Sequence, residues 1–136
     1  MKINLHHINL ATQNVSKMSD FYKKILFLDD VINDLPILEK SKGYAGNVNF
    51  VGDGNIQTHI AEQDLEVNFK TGQYINPVEK GHIAYRTDDL EAFKRHLETN
   101  NVKYADWKET AVSGWKQIFF YDPDGNIIEV HEKVES

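Results

Sequence analysis

The sequence contains no cysteine. This absence excludes disulfide bonds, thiolate catalysis and zinc sites built from cysteine. Positive charge is also in short supply, because 15 lysines and arginines face 21 acidic residues and the net charge is −6. Since phosphate contacts dominate nucleic-acid affinity, this balance argues against a nucleic-acid partner.

Long apolar runs are missing as well. No run could span a bilayer, and the N-terminal residues 1–4 show no apolar signal segment. We therefore expect a cytoplasmic protein that does not bind membranes. Hydrophobic residues make up 40% of the chain and charged residues 26%, which is typical of one globular domain at this length.

Two stretches of the sequence repeat each other. When His7 is aligned with His82, the same spacing brings Val15 onto Leu90, and isoleucine and threonine recur at matched positions between them. Each stretch alternates apolar and polar residues and then changes to helical spacing, which predicts a strand followed by a helix. The apolar residues face the helix, so both histidines face the other side of the sheet.

Further elements follow the same order in both halves. We predict helices over about residues 15–26 and 90–100, and the first has Asn14 as its N-cap. Turns at 52–55 and 122–126 each lead into a further strand.

The order of elements predicts an α+β fold made of two βαβββ modules in a single domain. The modules span about residues 1–62 and 81–136. Residues 62–80 contain few periodic apolar positions, and we interpret them as a linker with a possible lid role. Residues 29–42 contain turn residues and no clear pattern.

The strand at 56–61 admits two side-chain phases. One phase buries Gln57 and His59 beneath a helix, which is unfavourable unless partners are present. The other phase directs both side chains to the open face and points Thr58 to the helix. We choose the second phase.

Four side chains of metal-ligand type are then predicted to share the open face: His7, His59, His82 and Glu129. Imidazole and carboxylate groups suit a divalent Zn, Ni, Mn or Fe ion, so we predict a metal site. We exclude His6, which strict alternation assigns to the opposite face, and His96, which lies on a charged helix surface.

The strand-opening histidines and the closing sequence Asp122-Pro123-Asp124-Gly125-Asn126-Ile127-Ile128-Glu129-Val130 resemble the vicinal oxygen chelate superfamily. That group includes glyoxalase I, bleomycin- and fosfomycin-resistance proteins, methylmalonyl-CoA epimerase and extradiol dioxygenases. The resemblance covers nearly the whole chain. It implies a glyoxalase-like mixed-sheet cup and the same four metal ligands.

Three functions are compatible with this resemblance. The first is a lactoylglutathione lyase-like lyase or isomerase, which acts on a small vicinal-oxygen substrate through a metal-stabilised enediolate. Glu129 or a metal-bound water would be the base. Glyoxalase I usually has a glutamate where this chain has His59.

The second function is an Fe(II) extradiol-type dioxygenase that uses His7, His82 and Glu129, with His59 as acid or base. The third is a bleomycin-resistance-like protein that binds a ligand without catalysis. A full ligand set favours an enzyme over this third possibility.

Arg86 lies four residues beyond His82 on the same strand and is the predicted anchor for an anionic substrate group. Other candidates for contact with a small-molecule substrate are Asn9, Gln57, Trp115, Gln117, Tyr121 and His131. We also expect a homodimer with the cup near the subunit contact, because one small chain would only half close it. The ligands could come from one chain or from two.

Overall fold

The computed structural model describes residues 1–109, 112–123 and 125–134. The strands are β1 (Ile3–Thr12), β2 (Asp29–Asp30), β3 (Ile37–Leu38), β4 (Val48–Gly52), β5 (Gln57–Glu62), β6 (Gly81–Thr87), β7 (Ala105–Lys108), β8 (Val112–Ser113), β9 (Trp115–Tyr121) and β10 (Ile127–Lys133). The helices are α1 (Val15–Leu26), α2 (Val67–Thr71) and α3 (Leu90–Thr99), with a 3₁₀ turn at Lys40–Lys42.

The two long helices begin at side-chain caps. Asn14 accepts a hydrogen bond from the Lys17 amide at 3.0 Å, and Asp89 accepts one from the Ala92 amide at the same distance. These contacts satisfy amides that have no partner inside the helix. The predicted bounds and N-cap of α1 are confirmed, and α3 ends one residue earlier than predicted.

Eight strands of the described residues form one mixed sheet in the order β2-β4-β5-β1-β6-β10-β9-β7. The first four belong to the first half of the chain and the last four to the second half. The halves meet where β1 and β6 pair antiparallel, with Asn9 opposite His82. A Cβ on Gly81 would collide there with the Asn9 carbonyl, so the close approach requires glycine. The predicted α+β fold is confirmed.

The outer face of the second half packs against α3. Leu90 and Leu97 of the helix lie against Ile118 and Val130 of the sheet, and all four are buried. This packing follows from the apolar stripe of α3 and from the alternation along β9 and β10.

The inner face of the sheet carries a second apolar cluster. Ala61 and Phe119 of the sheet pack there against residues of the segment between the halves, including Val67, Ile75 and Val78. The segment that we interpreted as a linker with a lid role thus packs against the inner face of the sheet. The segment contains α2, and its apolar residues are buried although they follow no regular period.

A separate two-stranded sheet joins the halves across the inner face. β3 pairs with β8, so that Leu38 lies opposite Val112. The turn before β10 includes Asp124, which lies outside the described residues; the Asp122 carboxylate accepts a hydrogen bond from the Asn126 amide at 2.9 Å. No helix in the described ranges is long and apolar enough to cross a membrane.

Candidate metal centre

The four predicted ligands lie together on the inner face of the sheet. His7, His59, His82 and Glu129 are between 1% and 8% exposed, and all line one cavity. Nε2 of His82 lies 2.9 Å from Oε1 of Glu129, and Nε2 of His7 lies 3.7 Å from the same oxygen. The His59 ring stacks on the His7 ring with centroids 3.8 Å apart.

The first strand directs two consecutive histidines inward. Its register with β6 shifts between Leu5 and His7, which marks a β-bulge. His6 therefore lies beside His7, with their Nδ1 atoms 2.7 Å apart, and its ring centroid is 5.1 Å from that of His131. The prediction that His6 faces the opposite side is wrong, because strict alternation fails at the bulge.

Hydrogen-bond partners fix which nitrogen of His7 carries the proton. Nε2 of His6 lies 3.0 Å from a carboxylate oxygen of Asp34, which can only accept, so His6 donates there. Burial lowers the pKa of His6 and the charge of Arg86 lowers it further, so the ring is neutral and its Nδ1 accepts from Nδ1 of His7. The lone pair of His7 Nε2 is left facing Glu129.

His82 is oriented in the same way by the segment between the halves. Its Nδ1 lies 2.7 Å from the carbonyl oxygen of Pro77, which can only accept a proton. Nε2 of His82 is the atom that faces Oε1 of Glu129. Nε2 of His7, Nε2 of His82 and Oε1 of Glu129 converge on one point, and all three are atoms that bind metals once the imidazoles are unprotonated.

The second oxygen of Glu129 is already engaged. Nε of Arg86 always donates, and it lies 2.9 Å from Nε2 of His131. His131 therefore carries its proton on Nδ1 and donates it to Oε2 of Glu129 at 2.7 Å. The carboxylate is held in place through Oε2, and Oε1 remains directed at His7 and His82.

Asp34 connects these groups and was missed in the sequence. It accepts hydrogen bonds from Arg86 at 2.7 Å, from His6 at 3.0 Å and from Lys133 at 3.1 Å. Burial opposes its ionisation, but these three donors outweigh burial and hold its pKa below the usual value. Asp34 lies in the segment 29–42, where no sequence pattern indicated a function.

Charge is divided unevenly among the four predicted ligands. Burial lowers the pKa of His59 to about 3 and that of His7 well below 6.5, so both rings are neutral at pH 7. Burial opposes the ionisation of Glu129, but His7, His131 and His82 together hold its pKa well below 4.5. Two neutral imidazoles and a carboxylate are the donor types that divalent transition metals bind.

The described residues include one group whose donor atoms all lie within 4.8 Å of one another, and it consists of His7, Glu129 and His131. His131 uses its nitrogens to contact Arg86 and Oε2 of Glu129, whereas His82 is anchored through Nδ1 and directs Nε2 at Oε1 of Glu129. These contacts favour His82 over His131 as a metal ligand. The donor chemistry of the cluster fits a divalent metal.

The cavity beside this cluster has a volume of about 70 Å³. Of the residues predicted to contact substrate, Asn9, Trp115 and Gln117 line it. The amide oxygens of Asn9 and Gln117 are buried and have no hydrogen-bond partner among the described residues.

The remaining candidates for substrate contact lie outside the cavity wall. Gln57 accepts from Nε2 of His59 at 2.7 Å, and Tyr121 is 44% exposed. His131 and Arg86 lie behind Glu129. Substrate binding by these four residues stays a prediction.

Segments of the same chain form part of the cavity wall. Leu38 of β3 and Val112 of β8 belong to it, together with Val67 and Val78 from the segment between the halves. The cavity remains partly open, and the expectation that a second copy closes the cup stays a prediction.

Comparison with known proteins identifies the family of this chain. Residues 4–130 match the family model described as the Glyoxalase/Bleomycin resistance protein/Dioxygenase superfamily. The metallothiol transferase FosB of Staphylococcus saprophyticus is 25% identical over 129 residues, which cover 93% of this chain and 75% of that protein. Glyoxylase I 4 of Arabidopsis thaliana is 27% identical over 129 residues, which cover 93% and 68%.

An uncharacterized Escherichia coli protein, YaeR, is 36% identical over 52 residues, which cover 38% of this chain and only 40% of that protein. The crystal structure of methylmalonyl-CoA epimerase from Mycobacterium tuberculosis superposes with a TM-score of 0.70 at 18% identity, covering 96% of this chain and 88% of the epimerase. This likeness concerns the fold. On the family match over nearly the whole chain, the protein belongs to the Glyoxalase/Bleomycin resistance protein/Dioxygenase superfamily.

Proposed function

We propose that this chain is a metal-dependent enzyme of the glyoxalase type, a lyase or isomerase that acts on a small substrate with two adjacent oxygens. One observation carries the proposal: the Nε2 atoms of His7 and His82 converge on Oε1 of Glu129 at the wall of a cavity. The similarity to a metallothiol transferase and to a glyoxylase supports it.

In this proposal His7, His82 and Glu129 hold the metal, and His59 completes the set. His59 donates from Nε2 to Oε1 of Gln57, whose own Nε2 donates to the Asp34 carbonyl at 3.2 Å. The orientation of the Gln57 amide therefore leaves Nδ1 of His59 unprotonated. His131 positions Glu129 by donating to Oε2 and does not bind the metal.

A divalent metal bound by these residues would act as a Lewis acid that stabilises negative charge developing on the two substrate oxygens. Glu129 is the only carboxylate among the described residues of the cavity wall, so it is the group we propose to accept a substrate proton. The apolar wall excludes water from the reacting atoms.

Metal content tests the proposal. Protein purified without added metal should contain close to one equivalent by elemental analysis, and His82→Ala should contain little. His96→Ala is the matched control, because His96 is exposed on α3, and its metal content should not change. Unchanged stoichiometry in His82→Ala would contradict the proposal.

A second candidate is an Fe(II) dioxygenase, which is favoured by the convergence of two histidines, His7 and His82, on the carboxylate of Glu129. Metal identity separates the two functions. Iron, together with oxygen uptake in the presence of catechol, would favour the dioxygenase, whereas nickel or zinc would favour the isomerase. A chain that binds catechol without turnover would be a binding protein of the bleomycin-resistance kind.

We also propose that the chain forms a homodimer in which each copy completes its own site. The exposed apolar residues Phe21, Ile25 and Leu26 of α1 and the adjoining Phe27 support pairing. Light scattering at micromolar concentration tests the dimer. Mixing His7→Ala with Glu129→Ala should restore no metal binding, and restoration would mean that sites are shared between copies.

A further inference from the structure

We infer that the substrate is a small monoanionic chelator whose remaining part is uncharged and apolar. This inference rests on the proposed metal-dependent function and names the substrate class for that site. It excludes molecules that carry a second carboxylate, phosphate or phosphonate next to the chelating oxygens.

The cavity wall is apolar apart from the residues near Glu129. Its apolar members come from both halves and from the segment between them: Pro36, Leu38, Tyr44, Val48, Phe50, Ala61, Val67, Pro77, Val78, Trp107, Val112, Trp115 and Phe119. No lysine or arginine is among the described residues that line it. An anionic group in this cavity would therefore lose its hydration without gaining a cationic partner, which is strongly unfavourable.

The cations Arg86 and Lys133 lie outside the cavity wall. Two of the three guanidinium nitrogens of Arg86 are paired elsewhere, whereas Nη2 is buried without a partner among the described residues. Arg86 donates to Asp34 at 2.7 Å and to His131 at 2.9 Å, and its guanidinium lies 5.0 Å from the Trp115 ring centroid. Lys133 donates to the same Asp34 carboxylate at 3.1 Å. Neither residue belongs to the cavity wall, so neither can balance a charge on the substrate's tail.

Charge balance at the cluster sets the charge of the chelating group. A divalent ion and the single carboxylate ligand Glu129 leave one net positive charge, because imidazoles bind a metal in their neutral form. A monoanionic chelator neutralises this charge. A dianion would leave a net negative charge enclosed by apolar side chains, where it has no compensating partner.

Uncharged polar groups complete the description of the ligand. The buried amide oxygens of Asn9 and Gln117 line the cavity without a partner, so they can accept a hydrogen bond from a substrate N–H or O–H. The volume of about 70 Å³ corresponds to roughly five water molecules. The site therefore suits a short chelator with one hydrogen-bond donor.

Two hydroxamates of matched length test the inference. Butyrohydroxamate and succinic acid monohydroxamate both chelate through adjacent oxygens and offer an N–H donor, but a terminal carboxylate replaces the methyl group in the second. Calorimetric titration of the zinc-loaded protein should give an affinity at least on the order of tenfold higher for butyrohydroxamate, since the carboxylate must enter an apolar wall unpaired. The metal-free protein is the control for both titrations.

A cation introduced at the wall should weaken this preference. Leu38 is partly exposed and lies where the cavity meets a polar surface groove, so Leu38→Lys can place an ammonium group near the substrate's tail. In this variant the affinity for butyrohydroxamate divided by that for succinic acid monohydroxamate should fall at least about threefold. A change of this order is expected for a partly solvated ion pair. Leu38→Met, which nearly conserves volume, should leave the ratio unchanged.

The outcomes separate the two proposals. Equal affinities in the wild-type protein, or tighter binding of the succinic compound, would overturn the inference about the substrate while the metal function stands. Failure of both hydroxamates to bind a protein that demonstrably contains zinc would overturn the inference and the proposed function together. The wild-type comparison decides the matter even if Leu38→Lys does not fold.

Discussion

The two halves of the sheet place equivalent strands around one site, but they equip it differently. β1 and β5 of the first half bring in neutral imidazoles, His7 and His59, whereas β6 and β10 of the second half bring in His82 and the ionised Glu129. The second half also contains His131 and Arg86, which hold that carboxylate.

The long helices of the two halves differ in how many of their side chains are buried. α3 buries Leu90 and Leu97 against the second half of the sheet, whereas Ser19 is the only buried residue of α1. Phe21 of α1 is 54% exposed. A repeated backbone therefore fixes where side chains point, while the residue at each repeated position decides which half carries charge and which half carries the better-packed helix.

The largest expected effect concerns the carboxylate of the second half. Glu129→Gln should abolish metal binding, because it removes the only anionic donor of the cluster. His59→Gln, at the corresponding strand of the first half, should retain one metal with an affinity about 10–100-fold lower. Metal titration followed by elemental analysis measures both. An equal loss in the two variants would mean that the halves contribute equally.

The helices should differ strongly in their effect on stability. Leu97→Ala should lower the free energy of unfolding by about 2–5 kcal/mol, because it leaves a cavity beneath α3. Phe21→Ala should cost less than about 1 kcal/mol, because that side chain is largely solvated. Urea denaturation of the metal-free protein gives both values. A large loss at Phe21 that grows with protein concentration would indicate that α1 is covered in a dimer.

Acid should destabilise the two halves in different pH ranges. The folded-state pKa values of His7 and His59 lie below 6.5, so the unfolded chain binds more protons and stability falls as the pH drops below 6.5. The pKa of Glu129 lies below 4.5, so its contribution is present above 4.5 and is lost below that pH.

Urea midpoints of the metal-free protein between pH 4 and pH 8 test this division. His59→Gln should flatten the fall in stability below pH 6.5, whereas Glu129→Gln should leave the slope between pH 5 and pH 6.5 unchanged. If Glu129→Gln changes that slope, proton uptake by the second half would be responsible for the loss of stability in this pH range.

The smallest expected effects concern the two helix caps. Asn14→Ala and Asp89→Ala should each lower the free energy of unfolding by about 1 kcal/mol, since each leaves one helix amide without its side-chain acceptor. The charged Asp89 should contribute a few tenths of a kcal/mol more through the helix dipole. Thermal denaturation of both variants under the same conditions measures the difference, and identical losses would exclude the contribution of charge.

Sequence reasoning located the inner face correctly wherever periodicity held. Alternation along β5 placed Gln57 and His59 inward, and their inward position follows from the 2.7 Å contact between them and from the stacking of His59 on His7. Alternation failed at the bulge in β1, and His6 was therefore assigned to the wrong face. The burial of apolar side chains within residues 62–80 was not visible in the sequence, because these side chains follow no helical or strand period.

The sequence by itself determined the repeat, the two long helices with their caps, and the face on which His7, His82 and Glu129 lie. These features depend on neighbours within one strand or helix, so their periods are visible along the chain. That the four residues bind a metal stays a prediction.

Only the tertiary structure decided which nitrogens of His7 and His82 face Glu129, how Asp34 joins the site, and which segments line the cavity. Asp34 and Arg86 are 52 positions apart, and Arg86 and His131 are 45 apart. Contacts between such distant residues depend on which strands become neighbours and on a one-residue shift in register. No local period of the sequence encodes that information, because it arises when the two halves pack against each other.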